Sequence, residues 1–407
     1  MSAMPRLRLR VWAVRALLVP LCLLAAASAV EGCRNALMVR GSIDFGMSLK
    51  AAQDLARENP YRRHALAPEG FAQRPRADAN PFPMEPMQVP SALILLWPYA
   101  LLSWPTAKLA WLISNLMFTA GLLVLGFRRL LPGRDMACYV ALTAALLASF
   151  PWRVVVGNGQ HLAAGLFFWL LAAALADRGH PLAAGAALAA SFVKYSVTLF
   201  LLPWFLLKRQ WGPLLTALAV HALITLGIAW RLGENPVSLV LQALRTGAAT
   251  LLYSGYVDMF AITHGLGVTP VVAAAAALAL AGLAVALALS RPPPNQGLFL
   301  AALAFLSLLV LYHRAYDALI LFLPLLVLVE RAKREPMLAA LVAAPILLCW
   351  YVDRAVLQFT PWLDRAGGFS AYYWLVASLF YLALALLLVR SCASRRGRDW
   401  TASAPHA

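Results

Sequence analysis

The sequence predicts an all-α integral membrane protein, a bundle of about ten to twelve transmembrane helices, on three observations. Hydrophobic residues make up 62% of the 407 residues and charged residues only 13%, against about 25% charged in an ordinary globular chain; mean hydropathy is +0.74. The apolar residues gather in runs, of which 11–30, 109–127, 213–230, 270–290 and 371–390 approach the ~20 residues that cross a ~30 Å hydrocarbon layer. Shorter runs at 136–150, 161–176, 297–312 and 336–352 need tilt or local thinning of the bilayer to span it.

The third observation is where the charge lies. Arg6, Arg8 and Arg10; Arg128, Arg129 and Arg134; Lys208 and Arg209; Arg331, Lys333 and Arg334; and Arg395, Arg396 and Arg398 stand between runs or beside them. Cytoplasmic loops hold such an excess of Lys and Arg. The net charge of +17 is therefore topological, and nucleic acid is not an expected partner, because no basic face with interleaved aromatics lies outside the runs. The cysteines Cys22, Cys33, Cys138, Cys349 and Cys392 form no Cys-x-x-Cys pair or metal-like cluster.

With the basic clusters inside, the elements follow in order. Residues 11–30 read as an uncleaved first helix, longer than a signal-peptide core of about 7–15 residues. A first outer loop runs from 31 to 108. Within it, 87–104 is apolar but carries Pro90 and Pro98, and a full crossing there would put the Arg128 cluster outside, so it reads as an interfacial or re-entrant helix. Run 109–127 enters, 136–150 leaves, 151–160 forms an outer turn, and 161–176 returns.

Residues 182–207 lie between two basic turns, which both ends satisfy only if two short helices meet near 194–197. Broken backbone at that depth is tolerated where protein or a wet cavity covers it, so Lys194 lines a cavity. Run 213–230 then goes out, 231–269 is a second outer loop, and 270–290 returns. Run 297–312 goes out, 315–329 comes back, 336–352 goes out, 353–370 is a third outer loop, and 371–390 brings the tail, 391–407, inside. No segment is long enough for a separate soluble domain, so residues 1–407 read as one unit.

Chemistry concentrates after the first span. From Asp44 to Tyr61 the chain supplies an apolar helix face at positions 47, 51, 52, 55 and 56, ended by Asn59-Pro60-Tyr61. On the residues alone, Asp44 could simply cap this helix. An Asp-Phe after the first span, a helix with Ala51-Ala52, then Asn59-Pro60-Tyr61 resembles the opening of glycosyltransferase family 87, polyprenol-phosphate-mannose-dependent enzymes of the GT-C fold. Further matches follow in order: Pro90 with 93–98, the Gly159-Gln160 turn, Arg178-Gly179 with Ala184-Gly185, Lys194 with Lys208-Arg209-Gln210-Trp211, and His313. The chain departs from the family in having Leu162 where Asn is usual, and Tyr195-Ser196-Val197 where a proline commonly follows the lysine.

The resemblance implies an inverting transfer of a sugar, mannose in this family, from a polyprenyl phosphate to a glycolipid or envelope-glycan acceptor, at the outer face of a bacterial plasma membrane. It implies Asp44 as the base that takes the acceptor's hydroxyl proton. The leaving phosphate needs positive charge, and the outward-facing candidates are Arg153, His161, Lys194, His313 and Arg314, with Gln160 of the Gly-Gln turn beside them. Tyr61 and Glu85 are candidates for the acceptor pocket, and Glu85 or Asp78 could join Asp44. His221, alone in an apolar run, reads as a satisfied core histidine. No Asp-x-Asp occurs in the chain, so neither a metal nor a cofactor beyond the lipid donor is expected. A transporter or flippase could share the broken helix and cavity lysine, but paired interrupted helices are not evident; a non-catalytic assembly subunit is the other alternative.

Overall fold

The computed structural model describes residues 3–38, 41–61, 88–251, 269–291, 293–310, 313–352 and 368–393. Glu85, Asp78, residues 353–367 of the third expected loop and the tail from 394 lie outside the described residues. Within them all regular structure is helical. Five helices are long and apolar enough to cross a membrane, six if the pair Met136–Ala148 and Phe150–Gly157, bent by 60°, is one span. This is a multi-pass, all-α membrane architecture.

Helix Gln296–Val310 is the axis of the bundle. Every residue from Gly297 to Val310 is buried, which follows from a sequence that is apolar on all sides save for Ser307; such a helix has no face to give to solvent. Helices Gly368–Ala393, Phe322–Arg331 and Pro270–Leu289 pack around it.

The segment 181–207 passes a length-and-hydropathy test for a single span, but its geometry is a hairpin. A straight helix of that length would separate its ends by about 40 Å. Instead the Asp177 carboxylate, just before the segment, takes the Lys208 ammonium at 2.5 Å and the Gln210 amide at 2.9 Å, just after it. A Cβ on Gly212 would stand 2.9 Å from Pro181 Cβ, and one on Gly185 would run into Thr216. Helix Trp211–Leu232 therefore runs parallel to Pro181–Ser191, which is possible only if the chain has turned back between them. The break is where the sequence places it: Pro181–Ser191 passes through a 3-10 turn, Phe192–Lys194, into Tyr195–Thr198, and Lys194 leaves helical geometry at φ −125°, ψ 59°.

Several boundaries are corrected. The expected outer turn at 151–160 is mostly helix, Phe150–Gly157, because the Ser149 hydroxyl caps it by accepting the Trp152 N–H and Pro151 fits its first turn. The first outer loop is shorter than 31–108: the first helix runs Ala3–Leu37, and the next long one begins at Trp104. The second loop holds a helix, Pro236–Leu251, started by the Asn235 side chain accepting from the N–H groups of Val237 and Ser238. Residues 315–321 open the return helix as a 3-10 segment. The segment 87–104 is broken, as its prolines require, into Pro90–Leu93, Ile94–Leu96 and Trp97–Ala100, too short to cross. His221 finds Ser91 of this segment, Nδ1 to Oγ 2.7 Å.

Candidate active site

The site is assembled on the turn at 157–161. Helix Ile43–Leu55 docks on it end-on: the Ser42 N–H donates to Gly157 O at 3.0 Å and the Asp44 N–H to Asn158 O at 3.1 Å. Gly159 adopts φ +67°, and a Cβ there would lie 2.7 Å from Phe45 Cβ and 3.3 Å from the Trp111 ring. The Gly of the Gly-Gln turn thus answers both a left-handed backbone and a close approach. Phe45 stacks on Trp111 at 4.9 Å between centroids; of the expected face, Ala51, Ala52 and Leu55 are buried, joined by Phe45 and Leu49, while Met47 and Ala56 are half-buried.

Helix Trp104–Leu130 holds the turn from behind through a polar stripe at helical spacing. The Lys108 ammonium donates to the carbonyls of Leu37 and Met38, the Trp111 indole to Gly159 O at 2.9 Å, and the Asn115 amide to Gln160 O at 3.0 Å. Thr119 Oγ1 accepts from the Trp152 indole.

Held this way, the Gln160 side chain joins two charges. Its amide nitrogen donates to Asp44 Oδ2 at 2.6 Å, and its carbonyl oxygen faces the Lys194 ammonium at 3.4 Å. Asp44 is not the helix cap. The N-cap is Ser42, in left-handed geometry, and the carboxylate turns to Gln160. Burial pushes the Asp44 carboxyl up from its ordinary value; the Gln160 hydrogen bond and the charges of Lys194 and Arg314 pull it back, while Asp317 adds a push upward. A half-buried carboxylate raised in this way is a stronger base than one in water.

Beyond Lys194 lies a residue that sequence reasoning missed. Asp317 Oδ1 is 2.9 Å from the Lys194 ammonium, and Oδ2 is 3.1 Å from His313 Nδ1 and accepts the Arg314 N–H at 3.2 Å. His313 Nε2 meets Ser307 O at 2.7 Å, and the Lys194 ammonium also lies 5.3 Å from the Tyr316 ring centre. The signal was present: Asp317 is an acid within an apolar run, four residues after His313, and intramembrane ionisable residues mark sites.

The remaining candidates fall differently. His161 is buried beside Trp111, ring centres 5.1 Å apart, with Nε2 unpaired among the described residues. Arg153 is committed to Glu31 at 2.5 Å and lies over the Phe150 ring, an anchor between the first helix and Phe150–Gly157. Tyr61 is buried, its hydroxyl donating to Gln88 O at 2.5 Å, which ties the end of the Asp44 segment to the start of the proline-broken one.

The sequence model of glycosyltransferase family 87 matches residues 89–312, more than half of the chain. The match takes in the Gly159-Gln160 turn and the Lys194 hairpin; Asp44 precedes it and His313 directly follows. No curated protein and no solved structure matches the chain. The chain belongs to glycosyltransferase family 87.

Proposed function

We propose that this glycosyltransferase moves mannose from a polyprenyl phosphate to a lipid or envelope-glycan hydroxyl, in a single inverting displacement and without a metal ion. The observation that carries the proposal is that Asp44 and Lys194 share one residue, Gln160, so a base and a cation stand on either side of a fixed amide. In the reaction the acceptor oxygen forms a bond to the anomeric carbon and its proton passes to Asp44. The bond from that carbon to the phosphate oxygen breaks on the opposite face, and the electron pair leaves with the polyprenyl phosphate. Groups aimed at developing charge stabilise it most where water is excluded. Lys194 and Arg314 are those groups for the leaving phosphate, with His313 behind them, its ring nitrogens held by Asp317 and Ser307 O; a monophosphate carries less charge to neutralise than a nucleoside diphosphate.

The end of the bundle that carries Asp44 is opposite the end that carries Arg128, Arg129, Lys208 and Arg209, which supports a site on the non-cytoplasmic face of a plasma membrane by the excess of basic residues inside. The reading is tested by offering the purified protein radiolabelled polyprenyl-phosphate mannose, polyprenyl-phosphate glucose or GDP-mannose with a membrane-lipid extract and EDTA, then determining the anomeric configuration of the product. Transfer from polyprenyl-phosphate mannose alone, with inversion, is the expected outcome. Transfer from GDP-mannose, or transfer abolished by EDTA and restored by a divalent ion, contradicts the proposal.

A further inference from the structure

We infer that Asp317 is a positioning residue of the transfer reaction, whose two carboxylate oxygens hold the Lys194 ammonium and the His313 imidazole in place beside Gln160. The inference rests on the functional reading above and concerns what sets that site's geometry.

Lys194 sits at the tip of a hairpin whose two arms are anchored at the far end of the bundle, by Asp177 to Lys208 and Gln210. A four-carbon side chain at such a tip is free to swing unless something fixes it. Asp317 supplies that fixing at 2.9 Å, from a carboxylate itself 2% exposed. Its second oxygen is fixed in turn by His313 Nδ1 and the Arg314 N–H, and His313 is fixed by Ser307 O. The order therefore runs from the backbone of the central helix, through His313 and Asp317, to Lys194 and Gln160, and ends at Asp44.

The ammonium has three N–H groups. It meets Asp317 Oδ1 as an ion pair at 2.9 Å and donates to the Gln160 carbonyl at 3.4 Å, so its donors are not exhausted by these two neighbours. The Lys194 ammonium, the His313 ring and the Arg314 backbone N–H converge on this single buried carboxylate, so its pairing is complete without the Arg314 side chain. Asp317 touches neither the proposed acceptor nor the leaving group; it acts through Lys194.

The charged and titratable groups around Asp44 define the test. They are Lys194 on the hairpin, Arg314, His313 and Asp317 on the turn after the central helix, His161 on the Gly-Gln turn, and the Lys50–Asp54 pair on its own helix. Asp317 is the one among them that pushes the Asp44 carboxyl up through its negative charge. Full-length protein in lipid nanodiscs is assayed for kcat, donor KM and the pH dependence of transfer, as parent, Asp317→Asn, Asp317→Glu and Asp44→Asn.

Asp317→Asn is expected to lower kcat ~10- to 100-fold, the effect of a reacting group misplaced by about 1 Å, and to move the acid limb to lower pH, because a charge that raised Asp44 is gone. Asp317→Glu keeps the charge and the fold but displaces Lys194, so kcat falls about tenfold while the acid limb stays at its parental position. Parental kcat in Asp317→Glu, or an unmoved acid limb in an active Asp317→Asn, overturns the inference. If Asp44→Asn is inactive and both Asp317 variants equal the parent, only the Asp317 role fails. If Asp44→Asn is fully active, or the parent transfers no sugar, the functional reading itself fails and takes this inference with it.

Discussion

The Gln160 side-chain amide donates to Asp44 Oδ2 at 2.6 Å, across 116 positions of sequence. That contact ties the carboxylate to a turn whose own carbonyls are gripped by Trp111 and Asn115, so the orientation of Asp44 is set by a helix it does not belong to. The hydrogen bond also favours the ionised carboxylate and pulls against the effect of burial.

Gln160→Glu places a second carboxylate against Asp44. Loss of the donor and the like charge both raise the Asp44 pKa, so the acid limb of the transfer rate moves to higher pH, and activity falls at neutral pH. A pH–rate profile of the variant against the parent checks the direction; an unmoved or lowered limb contradicts it.

Gly159→Ala meets both constraints on that residue. The left-handed backbone costs about 1–2 kcal/mol for a residue with a Cβ, and the approach to Phe45 at 2.7 Å adds to it. Thermal unfolding in detergent is expected to show a loss of ~2 kcal/mol or more, together with loss of transfer, because the turn cannot yield without moving the Asp44 helix.

The hairpin at 181–207 makes a geometric prediction. In a cysteine-free background, Pro181→Cys with Gly212→Cys should form a disulfide under mild oxidation, since a Cβ on Gly212 would stand 2.9 Å from Pro181 Cβ and a small outward shift of the two helices reaches the ~3.8 Å such a bond requires. A single spanning helix would hold them about 40 Å apart and give no cross-link.

How much of this is legible in the sequence differs from residue to residue. The hairpin follows from two basic turns flanking 26 apolar residues, a counting argument that packing does not alter. Asp44, Gln160 and Lys194 come through resemblance to a family, and the structure brings these three together. Arg153 looked available for a phosphate because its partner, Glu31, is 122 positions away and stands on a helix that outlasts its apolar run. The Phe150–Gly157 helix was hidden because its start signal, Ser149 before a proline, lies inside what reads as one continuous apolar run. Asp317 was passed over because its partners are set by tertiary packing, although its cost within an apolar run was itself a signal.

Asp177 closes the hairpin, and its carboxyl carries a stability term. Burial alone would raise it, but the Lys208 hydrogen bond and the Arg129 charge outweigh burial and hold it below its ordinary value of 3.8. A carboxyl depressed by folding stabilises above its unfolded pKa and loses that contribution as pH falls through the folded one. Asp177→Asn should therefore cost about 1.5–3 kcal/mol at neutral pH, and the difference in thermal stability from the parent should shrink below pH ~4 and vanish further down. A difference that persists unchanged to low pH argues that the ion pairs are not its source.

The central claim is that Asp44 is the base. Purified parent and Asp44→Asn, matched for thermal stability, are assayed for transfer from radiolabelled polyprenyl-phosphate mannose to a membrane-lipid extract. The account predicts transfer by the parent and a loss of at least ~100-fold in the variant, since a positioned general base contributes about 10²- to 10⁴-fold. Parental activity in Asp44→Asn would contradict it, leaving Asp44 as an anchor of the loop helix and the base elsewhere.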